Sequence, residues 1–121
     1  MEVAVGFVDM FTKLPSVDGV TARDVVRGGA VLLDVREGSE WNAGHAPQAV
    51  HLPLGRINEA STKVKGGRRV VVVCRSGNRS KSATKALIAM GFDAVNLSGG
   101  MIAWAQAGGR VVDRSGRVGA I

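Results

Sequence analysis

Four short, mainly apolar runs constrain this chain more than any other feature: Ala30–Asp34, Ala49–Leu52, Val70–Cys74 and Ala94–Leu97. Runs of that length without strict polar alternation suit strands covered on both faces. Helical stretches lie between them. Thr21 is a plausible N-cap with Asp24 at the third helical position, Ala22, Val25 and Val26 follow a helical stripe, and Gly28-Gly29 stop it. The clearest helix is Lys81–Met90, with Ala83, Ala86, Leu87 and Met90 on one face and a Gly91-Phe92 terminus able to pack back on Leu87. A further helix, Met101–Ala107, aligns Met101, Trp104 and Ala105 before Gly108-Gly109, and Pro53–Val64 is a weaker candidate. Strand and helix alternate, so the expected class is α/β with a mainly parallel sheet. Arg110–Val112 is a candidate last strand. Residues 113–121 read as a loose tail, and residues 1–15 as an extension with a short helix ended by Pro15.

Length allows one domain: 121 residues can bury one core. A single cysteine, Cys74, excludes an internal disulfide, and no Cys/His cluster is spaced to hold a metal. The apolar runs are too short to span a membrane, and residues 1–15 make a poor signal peptide. The expectation is a cytoplasmic protein with a reduced thiol, needing no metal or organic cofactor.

In parallel sheets, ligands gather outside the carboxyl ends of the strands. Cys74 ends the most apolar run and is followed by Arg75, Ser76, Gly77, Asn78, Arg79 and Ser80 before the clearest helix. A lone cysteine at a strand end is most often a small buried hydrophobe. A core residue, however, needs no glycine, two arginines and a helix start beside it. A loop curled in front of a helix N-terminus can aim its N–H groups inward, cradle an anion and lower a thiol pKa. Arg75 and Arg79 would favour the thiolate further. Ser80 reads equally as an N-cap or a substrate contact.

Eight of the sixteen basic residues lie between Ala60 and Phe92, with no acidic residue among them. That clustering suggests a basic surround for the cysteine. Phe92 is the one aromatic there, so stacking platforms for nucleic acid are missing. At the neighbouring strand end, Asp34 is an acid/base candidate or an acceptor for loop amides, and Arg36 either pairs with Glu40 or faces the pocket. His45 and His51 read as structural.

Three segments together resemble the rhodanese-like domain family over about residues 16–112: Leu33–Arg36 with Glu40 and Gly44–Pro47; Cys74–Ser80; and Asn96–Met101 with Trp104, Ala107 and Gly108. Gln48 and Ala46 depart from the family pattern, where glycine and a larger apolar residue are usual. The resemblance implies a five-stranded, mainly parallel sheet with helices on both faces. It also implies that Cys74 accepts a sulfane sulfur as a persulfide, that Arg75–Ser80 bind the donor anion, and that Asp34 and Arg36 support them. The expected activity is thiosulfate-type sulfurtransfer to cyanide or a thiol, including a protein thiol, with no nucleic-acid or membrane partner. A persulfide carrier without turnover is the alternative. A cysteine phosphatase or arsenate reductase fits less well, because enzymes of that kind related to this fold place five residues between Cys and Arg, against four here.

Overall fold

In the computed structural model, which describes residues 14–121, the strands are β1 (Ser16–Val17), β2 (Val31–Asp34), β3 (Val50–His51), β4 (Val70–Val73) and β5 (Ala94–Leu97). They form one all-parallel sheet in the order β1-β5-β4-β2-β3. The fifth strand is therefore β1, not Arg110–Val112, of which only Val112 makes isolated antiparallel bridges, to His45 and Val118. β1 is only two residues long and begins with Ser16, too brief for any periodicity to show. The expected extension over residues 1–15 lies mostly outside the described residues.

Among the described residues, five helices cover the sheet: α1 (Gly19–Arg27), α2 (Gly38–Ala43), α3 (Ala60–Lys63), α4 (Asn78–Ala89) and α5 (Gly100–Gln106), with a 3-10 turn at Leu54–Glu59. Asp18, not Thr21, caps α1, accepting the Thr21 N–H at 2.8 Å. Alternation along β4 divides the core. Val70, Val72 and Cys74 pack with Leu87 and Ala83 of α4 and Ala60 of α3. Val71 and Val73 face the other way, against Ala22 of α1 and Met101 and Trp104 of α5. Both faces are buried, and this accounts for the unbroken valines.

The tail is not loose. Asp113 Oδ1 accepts from the Ser115 and Arg117 amides, His45 and Val112 exchange backbone hydrogen bonds at 2.8 Å, and Ala120 N–H donates to Ala43. Ile121 then packs against the second core. Nor do the basic residues all surround the cysteine. Lys63, Lys65, Arg68 and Arg69 precede β4 and so lie at the opposite end of the sheet from Cys74, about 13 Å of strand away. Among the described residues, no helix is long and apolar enough to cross a membrane.

Candidate active site

Cys74 leaves β4 at its carboxyl end, and α4 begins at Asn78, three residues earlier than its apolar stripe suggests. Arg79 and Ser80 are thus in the first turn of α4, and Ser80 is not its N-cap. Gly77 holds that position with φ 110°, a left-handed conformation that favours glycine. The turn aims the Gly77 N–H at the Cys74 sulfur, 3.1 Å away, while Ser80 Oγ lies 3.3 Å from the same atom. Asn96 on β5 steadies the loop from behind, its Nδ2 donating to the Gly77 carbonyl at 3.4 Å.

The start of α5 holds the outer side of the loop. Met101 and Ile102 N–H groups donate to the Cys74 and Arg75 carbonyls at 2.8 and 3.3 Å. A Cβ on Gly100 would stand 2.4 Å from both carbonyl oxygens, so no larger residue fits without moving the loop. With its carbonyls engaged outward, the loop turns amides toward the sulfur.

Cys74 is 1% exposed. Burial pushes its thiol pKa up, but the Ser80 hydroxyl and the amides of Ser80, Gly77 and Ser76 outweigh that, and the net shift is downward. Stabilised in this way, the thiolate should be the form present lower in pH than for an ordinary cysteine. Iodoacetamide alkylation of the wild-type protein should therefore reach half its limiting rate below the usual thiol range. Ser80→Ala should move that midpoint upward. An unmoved midpoint would remove Ser80 from the set of groups that hold the thiolate.

The arginines divide differently from expectation. Arg36 does not pair with Glu40. It binds Asp34, which accepts from Nη2 at 2.7 Å, from Nε at 3.0 Å and from the Arg36 amide at 3.0 Å, both side chains being fully buried. Arg36 Nη2 also donates to the Gly44 carbonyl at 2.6 Å, tying β2 to the turn after α2. This pair braces the scaffold, and Asp34 has a loop amide as one of its partners. Glu40 instead takes Arg79 through two hydrogen bonds, 2.6 and 2.8 Å. The Arg79 hydrogen bonds hold the Glu40 carboxyl down at about 2, and the Arg79 pKa is raised chiefly by the same contact. Arg79 is consequently not a free counter-ion for a donor. It clamps the first turn of α4 to α2, while still lending positive potential to Cys74.

Arg75 and Ser76 are exposed on the loop, as is Asn78 at the first residue of α4. Neither histidine approaches the sulfur by a hydrogen bond. His45 Nδ1 bonds the Trp41 carbonyl and His51 Nε2 the Arg36 carbonyl, both at 2.7 Å. Their rings stack on Trp41, with centroids 3.8 and 4.7 Å away. Two contributors stood out only as parts of the family resemblance, without their roles: Glu40 as the partner of Arg79, and Asn96 behind the loop.

A family model described as Rhodanese-like domain matches residues 21–107. YtwF of Bacillus subtilis, provisionally named a sulfurtransferase, is 45% identical over 73 residues, covering 60% of this chain and 71% of that protein. The structure of a rhodanese-related protein from Thermoplasma volcanium is similar with a TM-score of 0.74 at 26% identity, covering 81% of this chain and 97% of that one. A thiosulfate sulfurtransferase from Pseudomonas aeruginosa gives 0.73 at 26% identity over 89% of this chain. There the chain spans only 22% of the longer protein.

Proposed function

The chain belongs to the rhodanese-like domain family, and on that premise we propose that it is a sulfurtransferase working through a Cys74 persulfide. The observation that carries this reading is the convergence of the Gly77 N–H and the Ser80 hydroxyl on one sulfur at the head of α4. A thiolate held there is a nucleophile facing an amide-lined loop suited to an anion.

The donor is a small sulfane-sulfur anion of the thiosulfate type. The Cys74 thiolate attacks its outer sulfur, a Cys74 S–S bond forms, and the donor's S–S bond breaks with both electrons leaving on sulfite. The terminal persulfide sulfur is then attacked by cyanide or a thiolate. Thiocyanate, or the acceptor's persulfide, departs and the Cys74 thiolate is regenerated. Exposed Arg75 offers charge to the approaching donor, and the loop amides stabilise charge on the transferred sulfur. Arg79 contributes indirectly, by holding the first turn of α4 against Glu40.

The short loop argues against phosphate chemistry. Only four residues separate Cys74 from Arg79, and that arginine is turned to a carboxylate. Steady-state assays with thiosulfate and cyanide should yield thiocyanate, and p-nitrophenyl phosphate should not be hydrolysed. Phosphatase turnover exceeding sulfur transfer would overturn the reading.

A further inference from the structure

We propose a second anion site, at the end of the sheet opposite Cys74, that takes a small organic anion with two or more negative charges on phosphate or carboxylate groups. A cleft of about 410 Å³ opens there, lined by Arg23 and Arg27 of α1, Gln48 before β3, and Arg110 after α5, with Trp104 at its wall. That volume falls within the range of small-molecule sites, roughly 300–1,000 Å³. The position follows from topology. In a parallel sheet the helices α1 and α5 run back toward the strand starts, so the last turn of α1, the end of α5 and the turn before β3 meet at the amino end.

Three arginines from two separate parts of the chain line this cleft, and among the described residues no carboxylate does. Among the described residues, none of the three makes an ion pair. Two have partial structural reasons to be there. Arg23 donates through Nη1 to the Ala107 carbonyl at the end of α5, and Arg27 sits in the last turn of α1, where a cation meets the helix dipole. Each guanidinium has five N–H donors, so most of that capacity remains for a ligand. Arg110 has no such reason. Its backbone is fixed because its carbonyl accepts the Trp104 indole N–H at 2.9 Å, which sets its position at the rim.

Like charges gathered around a concave surface repel one another, and a bound anion relieves that repulsion. Arginine forks match the paired oxygens of phosphate and carboxylate, so the geometry selects planar or tetrahedral oxyanions over halides. Gln48 adds a neutral donor to the lining. The site uses none of the Cys74 machinery and stands whether or not the proposed sulfur transfer does.

The test is a titration of the full chain with inorganic pyrophosphate and, separately, citrate, followed by ¹H–¹⁵N NMR. The Trp104 indole N–H and the Gly109 and Arg110 amides should shift together and saturate, with a dissociation constant in the low-millimolar range or tighter that weakens as salt is added. Tighter pyrophosphate binding assigns a phosphate ligand, and tighter citrate binding a polycarboxylate. Arg27→Gln and Arg110→Gln, both at exposed positions, should each weaken binding about tenfold, one lost charge-assisted contact being worth about that factor. Cys74→Ser should leave it unchanged, and so should Lys63→Gln with Lys65→Gln, which flank Val64 on the other face of the sheet. Shifts that never saturate, or that the two arginine substitutions do not alter, overturn the site.

Discussion

Cys74→Ser is expected to abolish thiocyanate formation while the protein stays folded. A hydroxyl is far less ionised than a thiol near neutral pH, and the Gly77 amide and Ser80 hydroxyl cannot make up a difference of that size. The substitution is nearly isosteric, so its packing against Val72, Ala83 and Leu87 should survive. Circular dichroism and the melting temperature should change little. A variant turning over at the wild-type rate would remove Cys74 as the nucleophile.

The second large effect concerns stability. Asp34→Ala strands the Arg36 guanidinium, fully buried and short of its carboxylate partner. Breaking a buried pair from one side costs about 3–5 kcal/mol, because the remaining charge is neither solvated nor matched. That is a large share of the roughly 5–15 kcal/mol holding a typical domain together. Urea denaturation should show the midpoint falling sharply with an unchanged slope. Removing both charges, as in Asp34→Leu with Arg36→Met, should cost less than Asp34→Ala alone, since no uncompensated charge is left. A loss below about 1 kcal/mol for Asp34→Ala would mean that water or another group already serves Arg36.

These expectations combine what the sequence reveals locally with what only the folded chain brings together. Val70–Val73 and Val31–Asp34 are legible as buried parallel strands because apolar runs of that length have few other uses. Cys74 is legible as a candidate nucleophile from its place between such a strand and a helix. The beginning of α4 is not legible from periodicity: its first turn faces the cysteine loop rather than the core, so Asn78, Arg79 and Lys81 show no apolar stripe. Gly77, with its left-handed φ, is the true signal there.

Pairing failed where it was non-local. Glu40 is one helical turn from Arg36 in sequence, yet it bonds Arg79, 39 residues away. Local spacing cannot report which side chains a crossover brings together. The same holds for the basic stretch, which β4 splits between the two ends of the sheet. The tail shows it once more: a short polar segment is held through Asn42 and Ala43, contacts invisible in its own composition.

The most direct measurement of the central claim is the intact mass of the wild-type protein after incubation with thiosulfate. A gain of one sulfur, about 32 Da, is expected, confined to Cys74, absent in Cys74→Ser and reversed by cyanide. The gain together with thiocyanate turnover identifies the enzyme, whereas the gain with negligible turnover identifies a persulfide carrier on the same cysteine. No gain from thiosulfate, or a gain that Cys74→Ser retains, would contradict the account.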